Sequence, residues 1–197
     1  DIDALERDGF QGTAEWFDKA QAIWDERRTK RSEKRFPSLL DRLDYNGLLT
    51  AQNPSTRYVV LYNATGANLV SCVIDKQSLP CFEVNERKVK PKGLIVDVKT
   101  WFLETENIGE AYYLCAVFNS ELISEIIKPL QPRGLFGARA IHRRPLLFPI
   151  PQFNEHDRSH IELADIGEKC HNRTKDIGFK SRNNIRDEAR NSLRNEL

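Results

Sequence analysis

Between Arg133 and Arg144 the sequence sets four arginines and one histidine in a row of twelve residues that holds no acid. The chain as a whole is close to electrically neutral, with 30 basic and 29 acidic residues. Charge segregated in this way calls for an anion. Arg133, Arg139, His142, Arg143 and Arg144 are therefore the first candidates for contact with phosphate, since such contacts depend on locally placed cations rather than on total charge. Gly134 and Gly137 allow a close backbone approach or a positive φ, and Leu135, Phe136 and Ile141 can pin the loop to a core. Pro145, Pro149 and Pro151 then favour extended chain, so a stiff strap is expected to follow the arginines. The plainer alternative is a proline-rich connector whose arginines are simply solvated.

Other chemistry is weaker. Asp97-Val-Lys99, read as one face of a strand, offers the carboxylate and ammonium of a metal-dependent nuclease, with Glu83 as a further acid. The pattern is short and arises often by chance, and the upstream Pro-Asp that usually accompanies it is missing, so an exposed strand face with a cross-strand ion pair is the competing reading. His156, His160, Cys170 and His171 belong to the zinc repertoire, but adjacent Cys-His is a poor chelate and no Cys-x-x-Cys anchors it. Polar helical positions account for them, and no metal is expected. No serine or cysteine has the surroundings of a nucleophile.

The elements that must position these residues follow from periodicity. Thr13–Arg35 reads as a helix with Trp16, Ala20, Ile23 and Trp24 on its apolar stripe, ending in a basic run from Arg27 that stops before Pro37. Ser38–Leu49 suggests a second short helix. Arg57–Tyr62 and Leu69–Ile74 read as strands flanking a turn, Asn63–Asn68, with Gly66 at its tight position. Phe82–Val84 is a short strand. Gly93–Phe102 reads as a long one, with Leu94, Val96, Val98 and Thr100 on one side and Ile95, Asp97, Lys99 and Trp101 on the other. Helices are expected at Gly109–Phe118 and Ser120–Ile127, with Ser120 as a fresh N-cap. Another should run from Asn154 or Asp157 to Asn172, burying Ile161, Ala164, Ile166 and Cys170. Residues 176–197 are charged and poor in apolar side chains, which fits a marginal helix or frayed tail. Because no helix-length segment separates the strands, the expected class is α+β, a mainly antiparallel sheet with flanking helices, an N-terminal helix and a C-terminal helical segment.

A 40% apolar, 30% charged chain of 197 residues can bury one sizeable core, and no stretch is apolar enough for a membrane span or a signal peptide. Four scattered cysteines are expected to be reduced thiols in the cytoplasm. The chain opens with Asp1 and lacks methionine, so it is expected to be a piece of a longer protein.

Several runs taken together resemble a known family. Tyr58-Val-Val-Leu-Tyr-Asn-Ala-Thr-Gly-Ala-Asn-Leu69, Ile95-Val-Asp-Val-Lys-Thr100, Ala111-Tyr-Tyr-Leu-Cys-Ala-Val-Phe-Asn-Ser120, Ile127-Lys-Pro-Leu-Gln131, Arg133-Gly-Leu-Phe-Gly137, Ile141-His-Arg-Arg-Pro145 and Phe148-Pro-Ile-Pro-Gln-Phe153 are similar to the C-terminal target recognition region of bacterial and archaeal DNA adenine methyltransferases, including single-chain type II restriction-modification enzymes. The likeness extends over about Trp16 to His171. A weaker one is to type I specificity subunits, where Leu-Asn-Ser stands at the position of Phe118-Asn-Ser120.

The resemblance implies a DNA-reading domain: residues 1–37 a leading helix, 38–153 the target recognition domain and 154–197 a C-terminal helical segment. Its partners would be double-stranded DNA and an N-terminal methyltransferase domain, joined by a nuclease domain in some parents, that flips adenine from the duplex. S-adenosylmethionine is expected for that parent enzyme and no cofactor for this chain, which has neither a glycine-rich cofactor turn nor an Asn-Pro-Pro-aromatic loop; Asn53-Pro-Ser-Thr56 lacks both the second proline and the ring. The chain itself is expected to be non-catalytic. A reader of this kind needs backbone contacts for register and side chains for base edges. Lys30 and Arg31 join the arginine loop as phosphate candidates, while Gln52, Asn53, Arg57, Asn63 and Asn68 are candidates for base edges, amides suiting adenine and arginine suiting guanine. A third reading is a protein-interaction module docking through the proline strap and terminal helices.

Overall fold

A computed structural model describes residues 2–66, 68–97, 99–134, 137–138 and 140–176; at 133, 134, 137, 138 and 176 it describes the backbone alone. The class is α+β, as expected. The chain divides into two compact units between Gln52 and Asn53.

In the first unit α1 (Ile2–Arg7) and α2 (Gln11–Arg27) are followed by α3 (Lys30–Arg35) and α4 (Leu39–Leu43). The single helix expected over 13–35 is thus broken at Arg28-Thr29. The Thr29 hydroxyl accepts from the Ser32 amide and starts α3 anew, which is why the chain turns there. Ser38 and Asp41 form a reciprocal capping box at the start of α4. Gln21 ties α2 to α4 by accepting from the Leu39 amide at 2.8 Å. Ala14 is buried and Ala20 and Trp24 are half-buried, while Trp16 and Ile23, also expected on the apolar stripe of α2, are more than half exposed.

The second unit is built on a three-stranded antiparallel sheet of order β2-β1-β5, where β1 is Tyr58–Asn63, β2 Ser71–Asp75 and β5 Thr100–Thr105. Tyr58, Val60 and Tyr62 alternate onto one face, where they pack with α5 (Ile108–Asn119) through Ala111, Cys115 and Phe118. The Asn107 side chain accepts from the Gly109 and Glu110 amides and caps α5; the Ser120 hydroxyl accepts from Ile123 and caps α6 (Glu121–Ile127). Between β2 and β5 a separate hairpin pairs β3 (Phe82–Val84) with β4 (Arg87–Val89). Arg133–Gly134 (β6) and Gly137–Ala138 (β7) form a further small ladder.

The strand expected at Gly93–Phe102 is shifted. Its partner β1 is six residues long, so β5 pairs only from Thr100 (opposite Asn63) to Thr105 (opposite Tyr58). Residues 93–97 lie beyond the ladder, and the Thr100 amide bonds back to the Asp97 carbonyl in a turn. Asp97 and Lys99 therefore do not share a strand face, and Glu83 sits on the separate hairpin opposite Lys88.

α7 (Arg158–Asp176) begins where the Asp157 carboxylate accepts from the Ser159 amide, and that bond holds the carboxyl below its ordinary range. It packs on α5 through small residues: Ala164 is buried, whereas Ile161 and Ile166, expected inside, are largely exposed. At Gly167 a Cβ would lie 2.3 Å from the Tyr112 carbonyl oxygen and 3.2 Å from the Ala116 Cβ. Helix axes this close require glycine at the crossing. The C-terminal helix is thereby part of the second unit. The expected tail at 176–197 lies outside the described residues, apart from Asp176 as the end of α7.

Two outcomes follow from this crossing. Gly167→Ala adds helix propensity worth about 1 kcal/mol, but the clash is with backbone, so a net loss of about 1–3 kcal/mol is expected in urea unfolding; an unchanged or raised midpoint would remove the close crossing. His171, ring to ring with Tyr112 at 5.7 Å, is held below its ordinary value of 6.5 by burial, with Lys175 acting in the same direction. The unfolded chain therefore takes up this proton first as the pH falls through 6.5, and stability drops from there until the folded imidazole also protonates. His171→Phe keeps a ring against Tyr112 and should lose that part of the pH dependence; parallel stability profiles for the two proteins would refute it.

Candidate nucleic-acid interface

The turn that closes β1 and β2 is held by one side chain. Asn63 donates through Nδ2 to the Thr65 carbonyl at 2.9 Å and the Asn68 carbonyl at 3.0 Å, and accepts from the Val70 amide at 2.8 Å. Gly66 has φ 151°, and a Cβ there would come within 2.7 Å of Asn63 Nδ2. The side chain thus fills the turn, leaving no cradle inside it. Asn63, proposed from sequence as a base reader, has its amide committed to shaping the turn that carries Asn68.

The arginine loop is fastened to this turn. The Ala64 carbonyl accepts from both Ile141 (2.9 Å) and His142 (3.0 Å), and Thr65 forms an antiparallel bridge with Ala140. Gln131 adds a bond from Nε2 to the Gly66 carbonyl at 3.3 Å. Two successive amides thus meet one carbonyl, and directly after the second the chain turns sharply, His142 having φ 46°. That conformation costs a non-glycine residue about 1–2 kcal/mol. Ile141 is fully buried and anchors the loop as expected; Leu135, Phe136 and Arg139 lie outside the described residues, as do the side chains of Arg133 and Ala138.

Beyond the bend His142 and Arg143 are exposed. The Arg143 guanidinium lies 5.0 Å from the ring centre of Trp101, which stacks at 6.4 Å on Tyr62. Stacking fixes the guanidinium plane without using its N–H donors, a geometry for which arginine is suited and lysine is not. Arg144 donates to the Ala140 carbonyl at 2.6 Å and stiffens the bend. Burial pushes the Tyr62 phenol up to about 12, although the Arg143 charge draws it down, so this hydroxyl is neutral. Its oxygen, Trp101 Nε1 and Gln131 Oε1 are buried with no hydrogen-bond partner among the described residues.

Behind the bend Arg144–Leu147 makes one 3-10 turn, and the strap then runs extended along α5. Phe148 and Ile150 pack on the core, and the Tyr113 hydroxyl donates to the Pro151 carbonyl at 3.0 Å. Phe153 and His160 close over Tyr113, and His160 Nδ1 accepts from the Asn154 amide. His160 is thereby a packing residue. Among the described residues no three His, Cys, Asp or Glu side chains cluster as metal ligands.

Of the remaining candidates, two lie elsewhere in the second unit. Arg57 stands at the opposite end of β1 and pairs with Asp75 through two bonds of 3.3 and 3.0 Å, which lowers the carboxyl and raises the guanidinium. Asn53 beside it accepts from the Ser55 amide in a local turn. Gln52 is buried and donates to the Leu48 carbonyl. Arg57 and Asn53 thus do not share a surface with the Asn63–Asn68 turn. Lys30 and Arg31 are exposed on α3 of the first unit. Sequence reasoning missed Trp101 as the platform for Arg143 and Gln131 as the second tie; only the pairing of β5 with β1 brings Trp101 opposite Tyr62.

No family model, curated protein or solved structure matches this chain. Among the described residues no helix is long and apolar enough to cross a membrane.

If Asn63 shapes the turn, Asn63→Ala should cost about 1–3 kcal/mol in urea unfolding, while Asn63→Asp, which retains only the acceptor, falls between. Wild-type stability for both variants would show that the turn stands without it.

Proposed function

We propose that this chain is the sequence-specific recognition domain of a restriction-modification DNA adenine methyltransferase, holding duplex DNA for a catalytic domain outside it. The reading rests first on the junction of turn and loop: Ala64 joins the segment carrying Asn68 to the one carrying His142 and Arg143, so an amide suited to base edges and a cation suited to phosphate are offered from one rigid piece of backbone. The distributed resemblance to target recognition regions supports it independently. In this reading Arg143, with His142 beside it, grips the sugar-phosphate backbone, and Asn68 faces the groove. S-adenosylmethionine belongs to the partner domain, where the methyl transfer takes place.

Duplex binding by fluorescence anisotropy across a salt series tests it. Arg143→Ala should weaken binding on every sequence alike and reduce the slope of log K against log salt by about 0.9, the share of one phosphate contact. Asn68→Ala should instead alter the preference among target sequences. Binding without salt dependence, or an Arg143→Ala protein with an unaltered slope, would overturn the assignment.

A further inference from the structure

At the other end of β1 lies a cleft of about 380 Å³. Its walls are the loop Pro54–Arg57, the turn at Lys76-Gln77 and the segment Lys90–Gly93 that leaves β4. Four of these residues are cations, and none is an acid. From this we infer a second anion-binding site, for a phosphate group.

The cations divide into two kinds. Arg57 and Lys76 build the floor. Arg57 is held by Asp75, and its amide donates to Glu106 Oε1 at 3.2 Å. Lys76 Nζ is bound at 2.6 Å to Glu104 and at 2.8 Å to the Asn53 carbonyl, with its side chain only 6% exposed. These pairs neutralise charge and fix the walls. Lys90 and Lys92 are exposed and have no ion pair among the described residues. They flank Pro91, whose fixed φ limits how far the two ammonium groups can part. Ser55 and Thr56 add hydroxyl donors on the facing wall.

Lysine binds phosphate as a point charge, and a ring of ammonium and hydroxyl donors suits a tetrahedral oxyanion. Among the described residues no aromatic side chain lines the cleft, so the ligand is recognised through its phosphate and not through a base. The sequence carries a signal for this site: Arg87, Lys88, Lys90 and Lys92 fall within six residues free of acids. The site is separate from the Arg143 surface, since six residues of β1 span roughly 17–20 Å. A duplex phosphodiester or a free phosphorylated molecule satisfies the same chemistry.

The test uses the full chain and amide NMR spectra. Inorganic phosphate should shift the Ser55, Thr56, Gln77 and Gly93 amides saturably, and Lys90→Gln/Lys92→Gln should weaken that binding roughly tenfold, the scale of one lost charge-assisted contact. Both lysines are exposed, so the double variant should keep the wild-type melting temperature and spectrum elsewhere. A twelve-base-pair duplex that shifts the same amides, and is displaced by phosphate, identifies the ligand as a phosphodiester. A duplex that leaves them unmoved while phosphate shifts them identifies a small phosphorylated molecule. Absence of saturable shifts with either probe, or equal affinity in the double variant, overturns the site. Arg143→Ala leaves these shifts intact, so loss of duplex binding through that residue is read separately.

Discussion

One carbonyl oxygen holds the candidate interface together. Ala64 accepts from two consecutive amides, and in doing so fixes the arginine loop relative to the strand turn 77 residues earlier in the chain. Backbone hydrogen bonds fix main chain rather than side-chain rotamers, so the exposed residues beyond the bend inherit a defined starting point. The positive φ of His142 turns the chain directly after those two amides. Strain of this kind persists only where the surroundings over-determine it, and here they do: Ile141 is buried before the bend and Pro145 after it, while Arg144 binds back to Ala140.

The same constraint explains which polar side chains are consumed by the fold and which remain presented. Asn63 sits inside its turn and satisfies backbone groups that a glycine-bearing loop otherwise leaves open. Arg57 sits at a sheet end where Asp75 of the neighbouring strand is in register with Tyr58, and an ion pair forms across the strands. Arg143 emerges where the nearest partner is an aromatic face, which orients the guanidinium without saturating it. Residue type alone did not separate these cases; position relative to the ladder ends did.

Local signals were legible in the sequence and long-range ones were not. Ser120 caps α6 because a short polar side chain before an apolar run satisfies the first amides, a relation contained within four residues. The basic run at 27–35 hid a break, because the restarting cap at Thr29 lies inside a stretch whose composition is uniformly helical. The strand at 93–102 was misplaced for a different reason. Alternation runs through 93–102 without marking where pairing begins, and only the length of β1 decides which six residues pair. Likewise Gly167 looks like a weak point in an isolated helix, and becomes necessary only against the Tyr112 carbonyl of α5.

Near-zero net charge gave little warning of the local fields this fold creates. In the second unit Asp75 and Glu104 each bind a cation at the margin of the sheet, and both partners, Arg57 and Lys76, line the cleft. Acids spent in this way no longer offset the lysines on the neighbouring arm. At the other end of β1, Arg143 lies against a tryptophan rather than a carboxylate. A nearly neutral protein thus carries, at both ends of one strand, cations with no ion pair among the described residues, because the nearby carboxylates Asp75 and Glu104 are taken up in building the walls.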